Sequence, residues 1–155
     1  MEIYNFPAII ENLGIDLLTL NQREKIELIE YIMSKHFVNI ADEMPPKHYL
    51  LNGVYTRELF IPAGTLLTGK IHTTAHQSIM LYGDISVMTE DGMKRINEPC
   101  IITSMSGMKR AGYTHADTVW ITIHATDLTD IEQIEAALFH DSDLSWVENK
   151  LAIGH

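Results

Sequence analysis

"GKIHTTAHQSIMLYGDISV", residues Gly69 to Val87, places a lysine and two histidines beside runs that read as paired β-strands. Side chains of an extended chain point alternately to opposite faces. Thr68, Lys70 and His72 then share one face before a turn, and His76, Ser78 and Met80 share one after it. Such a cluster suits a metal, an anionic ligand, or a plain pair of hydrogen-bonded histidines at a hairpin end, and the stretch alone leaves all three open.

Outward from this stretch the chain keeps the same texture. Short β-like runs cover about 54–61, 66–72, 76–82, 84–89, 93–96, 100–103, 109–114 and 118–124. Turn residues separate them: "PAG" at Pro62, "EDG" at Glu90, "NEP" at Asn97, "MSG" at Met105 and "HAD" at His115. Many short strands with explicit turns predict a sandwich or barrel, and Gly92 offers the positive φ of a tight hairpin.

Helical patterns flank this region. "FPAIIENLG" predicts a short helix from Pro7 to Gly14. Thr19 and Gln22 have capping-box spacing ahead of Ile26, Ile29, Met33 and Phe37, with Arg23, Glu24, Glu27 and Glu30 expected to face water. Pro45 and Pro46 then end helical structure. After the strands, Thr129 and Glu132 repeat the capping spacing before Ile131, Ile134 and Leu138, and residues 140–155 form a polar tail with an apolar thread. The expected organisation is a helical extension over 1–48, a barrel over 49–127, and a helix and tail over 128–155, all in one domain.

Composition narrows the function. With 155 residues and 46% hydrophobic content, one domain with a sizeable core is expected. A net charge of -10 opposes binding to a nucleic-acid polymer, because such affinity comes from cations neutralising phosphates. Cys100 is the single cysteine, so no internal disulfide forms; it reads as a buried strand residue. No stretch approaches the roughly 18 apolar residues of a membrane span, and a cytoplasmic protein without membrane contact is expected.

The strand order, the "PAG" turn, the histidine cluster, "GDISV" and "PCIITSMSGMKR" together resemble the cupin superfamily over about Val54 to His124. The resemblance implies a mainly β fold: a double-stranded β-helix, or jelly-roll barrel, here with an N-terminal helical extension and a C-terminal helix. The first cupin motif is glycine, a short gap, His-x-His, three or four residues, glutamate, six residues and glycine. In that frame fall Gly64, His72, His76 and Gly83, with Lys70 at the first histidine, His72 at the second and His76 at the glutamate. The second motif, Pro-x-Gly-x-x-His, keeps Gly107 and has Arg110 at its histidine. Two of the four usual ligand positions therefore carry cations, and arginine does not ligate a metal. The chain is also similar to small cupin-like proteins of tailed bacteriophages, which implies the host cytoplasm as its location.

If the barrel closes as this resemblance implies, Lys70, His72, His76 and Arg110 meet at one mouth. In the last strand Trp120, Thr122 and His124 alternate with Val119, Ile121 and Ile123, and either set suits the interior. The apolar set faces outward if the terminal helices cover the sheet. A metal site needs a third ligand from His124 or His115; His72, His76 and His124 would suit iron, zinc, manganese or nickel. The reading preferred from sequence is metal-free: a small anion held by Arg110, Lys70 and the histidines, with Trp120 as a stacking surface. His36, His48, His140 and His155 read as surface residues.

Three functions follow. The first is binding of a small anionic metabolite, a nucleotide-derived signal or sugar phosphate, and its sequestration. The second is an enzyme, either a metal-free isomerase or epimerase of nucleotide sugars with His72 or His76 as general base, or a metal-dependent oxygenase or hydrolase. The third is an oligomeric assembly protein of a phage. A homodimer or higher homo-oligomer is expected in each.

Overall fold

The computed structural model describes residues 6–154. Helix α1 (Phe6–Leu13) ends at Gly14, whose φ of 67° suits a residue without a Cβ. Helix α2 (Gln22–His36) starts two residues later than the Thr19 spacing predicts. Its cap is Asn21, which accepts from the Glu24 amide while the Glu24 carboxylate accepts from the Asn21 amide. Asp16 has already taken the Thr19 hydroxyl as a donor in the preceding 3₁₀ turn.

Strands follow in chain order: β1 (Lys47–Leu51), β2 (Val54–Ile61), β3 (Leu66–Thr68), β4 (Ile71–His72), β5 (His76–Thr89), β6 (Gly92–Ile96), β7 (Cys100–Ser104) and β8 (Ala111–Ala125). Helix α3 (Ile131–Leu138), strand β9 (Phe139–His140) and helix α4 (Ser145–Ile153) close the chain. Asp130, not Thr129, caps α3 by accepting from the Gln133 amide. The tail expected over 140–155 contains α4, whose Val147 is fully buried.

All pairings are antiparallel, and two long strands shape the barrel. The first half of β5 pairs with β7 and its second half with β6, while β8 runs along both halves. Strand β8 in turn gives one end to β3 and the other to β2. Each long strand thus bends from one layer to the next instead of breaking. In β5 the register slips around Leu81 and Gly83, and a side chain at Gly83 would strike Thr118. Glycine lets the strand turn there.

This continuity corrects the turn expected at "HAD". His115, Ala116 and Asp117 are exposed within β8, and the Asp117 carboxylate accepts from the Ala63 amide across the strand end. Their polarity reflects local exposure. The run expected over 66–72 is two strands, because the chain changes partner: β3 pairs with β8, and β4 pairs with β9. Strand β1 was not anticipated; every residue of it is exposed, so its sequence carries no alternation.

Helix α2 is buried on two sides. Leu28 and Ile32 join Ile15, Leu20 and Val147 in a core shared with α1 and α4. The charged side expected to face water instead grips its neighbours. Arg23 donates to the Gly107 carbonyl at 2.7 Å and to Glu90 at 2.6 Å; Glu27 accepts from the Trp146 indole at 2.8 Å; Glu30 pairs with the buried Lys109. Amphipathic patterning locates the apolar stripe and does not say what covers the polar one.

Candidate functional site

The interior face of the barrel is ordered in rows by strand register. Tyr55 lies opposite His124, Arg57 opposite Thr122, and Leu59 opposite Trp120 on β2 and β8. Ser78 and Met80 of β5 continue the second and third rows. Thus Trp120, Thr122 and His124 face inward, which settles the orientation left open by sequence. The terminal helices are not the reason once expected. Helix α3 packs Ile134 and Leu138 onto Tyr55, on the interior face, and so closes one end of the barrel instead of covering the outer sheet.

Three histidines meet at that end. His72 is held by pairing opposite Phe139, by its carbonyl accepting from the Gly107 amide, and by the neighbouring Thr73 amide donating to Leu138. His76 opens β5, and His124 lies near the end of β8. Ring centroids are 4.0 Å apart for His72 and His76, 4.7 Å for His76 and His124, and 5.0 Å for His72 and His124. His72 Nδ1 is 2.9 Å from His124 Nε2.

Proton placement follows from the partners. His76 Nδ1 faces the Thr74 carbonyl at 3.2 Å, and a carbonyl only accepts, so Nδ1 donates. In the neutral ring Nε2 then carries the lone pair, and it is buried with no partner. His124 Nδ1 is buried and unpartnered as well. Burial, reinforced by the neighbouring histidines and by Arg110 and Arg57, pushes His72 down to about 3. Burial, with His76 and Arg57 beside it, pushes His124 down to about 4; burial also lowers His76. All three rings are therefore neutral at pH 7, and each carries one lone-pair nitrogen, one of which accepts in the His72–His124 contact.

Beside them opens a cavity of about 130 Å³, with His72, His76, Arg57, Arg110, Thr122 and Trp120 in its wall. Arg110 donates to the Ser104 hydroxyl, and burial lowers its pKa. Among the described residues neither Arg110 nor Arg57 makes an ion pair. Lys70 stands at the rim, 60% exposed, with its ammonium 3.8 Å from Asp141. It lies outside both β3 and β4, so it does not share the inward face expected with His72.

His115 lies away from this cluster, its Nε2 2.8 Å from the Ser86 hydroxyl. His36, His48 and His140 are exposed, with His48 bonded to the Tyr55 hydroxyl, and His155 lies outside the described residues. Arg57 is the site residue that sequence reading missed. Its signal was present in "VYTRELFI": on alternation it shares a face with Tyr55, Leu59 and Ile61, an otherwise apolar set.

No protein-family model matches the chain, and no curated protein matches it. Solved structures do. KdgF from Halomonas sp. is similar with a TM-score of 0.50 and 8% identity, over 62% of this chain and 88% of that one. A cupin-2 domain protein from Shewanella frigidimarina gives 0.45 and 11%, over 61% and 99%. A cupin domain from Bordetella pertussis gives 0.43 and 16%, over 54% and 93%. The chain has a cupin-type fold. At these identities the likeness concerns architecture alone.

Within the cupin barrel the donor set fits a divalent transition metal. One nitrogen of each of His72, His76 and His124 lies within 4.8 Å of the others. Ligands on one tetrahedral ion stand ~3.4 Å apart, given bonds of about 2.1 Å, so small ring movements separate the two arrangements. The buried, unpartnered Nε2 of His76 is an atom such an ion would satisfy, and His124 turns Nε2, the nitrogen that meets His72, toward the same cluster. The lysine and arginine at cupin-motif positions do not obstruct this, because His124 supplies a ligand from outside both motifs. Among the described residues no helix is long and apolar enough to cross a membrane.

Proposed function

We propose that this cupin is a metal-dependent enzyme acting on a small organic anion, with a divalent ion held by His72, His76 and His124. The observation that carries the reading is the convergence of three neutral imidazoles, with the buried Nε2 of His76 unpartnered, beside a cavity lined by two of them and by arginines that lack carboxylates. Three protein ligands leave open positions. A bound ion would supply Lewis-acid polarisation of a substrate oxygen or an activated water. Arg110 binds the anion with planar paired donors, and Lys70 attracts it at the rim. Trp120 forms an apolar wall that limits water. The Thr74 carbonyl holds the His76 proton on Nδ1 and so keeps Nε2 aimed as a lone pair.

A second reading is metal-free binding or isomerisation of the anion. The direct His72–His124 hydrogen bond favours it, since one nitrogen of each ring is satisfied without an ion. Elemental analysis of protein made without a histidine tag separates the two. About one equivalent of iron, zinc, manganese or nickel per chain, lost in His72→Ala, supports the enzyme reading; metal-free protein that still binds anions overturns it. We further read the protein as a homodimer joined through the outer sheet face, where Phe60, Tyr82 and Ile101 are exposed, and as a phage-type protein of the host cytoplasm on the strength of the sequence resemblance.

A further inference from the structure

The second interior row holds three polar side chains with buried atoms that make no hydrogen bond. Arg57, Thr122 and Ser78 are aligned across β2, β8 and β5 by register. Arg57 Nε, Thr122 Oγ1 and Ser78 Oγ are each buried without a hydrogen-bond partner. Buried polar groups are almost always paired, so three orphans side by side point to a partner that arrives from outside. Phe139 backs the guanidinium, with Cζ 5.3 Å from the ring centroid, and fixes it from behind without neutralising it.

The chemistry around the row defines that partner. Arginine only donates, so the ligand brings an acceptor of negative charge; two hydroxyls, which donate or accept, suit the remaining oxygens of the same end. The next row is apolar, with Leu59 and Trp120 in the cavity wall and Ile61 beyond them. The histidine row lies on the opposite side of Arg57, so an anion at Arg57 has the metal-ligand cluster on one flank and an apolar wall on the other. The enclosed part of the cavity suits a small ligand. A cavity of about 130 Å³ is slightly smaller than the ~150 Å³ cavity that accommodates benzene.

We propose that Arg57 and Thr122 in the cavity wall, with Ser78 next to Thr122 in the same row, form the anion-recognition subsite of the barrel, and that its ligand is a short-chain organic carboxylic acid whose apolar end rests on Trp120. The assignment rests on the reading of the cavity as the site of a small organic anion, and it replaces nucleotides and sugar phosphates with a smaller class. Arg57 determines specificity for the carboxylate, and Trp120 limits chain length.

Calorimetric titration of the protein as purified, with butyrate, 2-hydroxybutyrate, 2-oxobutyrate, butyramide and inorganic phosphate, tests this. At least one acid binds at least tenfold more tightly than butyramide or phosphate. Arg57→Gln removes that preference, Thr122→Val weakens acid binding severalfold, and metal content stays unchanged in both. Equal affinity for acid and amide, tighter binding of phosphate, binding of none of the probes, or acid binding indifferent to Arg57→Gln overturns the assignment. Should Arg57→Gln fail to fold, the comparison of acid with amide on the unaltered protein and the Thr122→Val variant still decide. Acid binding that depends on Arg57 in protein lacking metal sinks the metal reading and keeps this one; stoichiometric metal without acid binding does the reverse.

Discussion

His72 Nδ1 and His124 Nε2 lie 2.9 Å apart, although the two residues are separated by 52 positions in the chain. Strand β4 brings the first histidine against β9, and β8 brings the second from the far side of the barrel. The C-terminal segment, folded back over the barrel end, helps to hold His72 in this contact. Arg110 stands near enough to the cluster to lower His72 and His76 through its charge.

Removing that charge has opposite effects on the two ligands the site is proposed to hold. Arg110→Ala relieves repulsion on a cation at the histidines and removes donors from an anion. Metal affinity rises severalfold, corresponding to about 1 kcal/mol for a partly screened charge pair, while affinity for anions falls. Competition with a chromophoric chelator measures the first and calorimetry the second. A fall in both affinities would show that Arg110 only supports the fold.

The metal-free protein should lose stability on mild acidification. His72 and His124 titrate near 3 and 4 in the folded chain against an ordinary value of 6.5. As pH falls below 6.5 the unfolded chain takes up protons that the folded chain refuses, so unfolding gains; above 6.5 the contribution to stability is complete. Between pH 7 and 5, before most carboxylates protonate, the loss is about 2 kcal/mol for each ring and so on the order of 4 kcal/mol for the pair. Thermal unfolding in the presence of a chelator follows it, and His124→Gln should flatten the slope. A midpoint that does not move over this range would mean the rings are more solvated than their burial indicates.

The barrel was legible because alternation and turn residues are local signals. The runs at 54–61 and 100–103 match β2 and β7 closely. The site was legible only in pieces. Lys70, His72 and His76 are neighbours in sequence, yet the structure sends the lysine to the rim and unites the histidines with His124. Which face of β8 points inward depends on where α3 packs, a long-range fact that periodicity does not carry. Arg57 escaped notice because a single arginine in a strand ordinarily marks a solvent-facing position.

Gly83 is where β5 bends, and it tests the need for that bend. Its φ is 132°, and a Cβ there would stand 2.3 Å from Thr118 Oγ1 and 2.6 Å from the Thr118 backbone. Gly83→Ala therefore imposes both strain and overlap with backbone, at a cost of about 3 kcal/mol. Gly92, at φ 114° with open space around it, isolates the strain. Gly92→Ala should cost about 1 kcal/mol. Urea denaturation of the pair gives the difference directly, and equal losses would mean that Thr118 yields freely.

Lys109 is 2% exposed and pairs with Glu30 of α2, one residue before Arg110. Truncating Glu30 leaves a buried ammonium without a counter-charge, so Glu30→Ala should cost about 3 kcal/mol. Replacing both partners with methionine removes the stranded charge and fills the space, so Lys109→Met with Glu30→Met should cost less than Glu30→Ala alone. The pair also ties α2 to the loop that presents Arg110, which Arg23 grips at the Gly107 carbonyl. The double variant should therefore stay folded and retain metal, since no histidine ligand lies on that loop, yet bind anions more weakly as Arg110 loses its fixed position. Chemical denaturation, elemental analysis and calorimetry on the same preparation read the three effects. Unchanged anion affinity would show that the link between helix and loop serves stability alone.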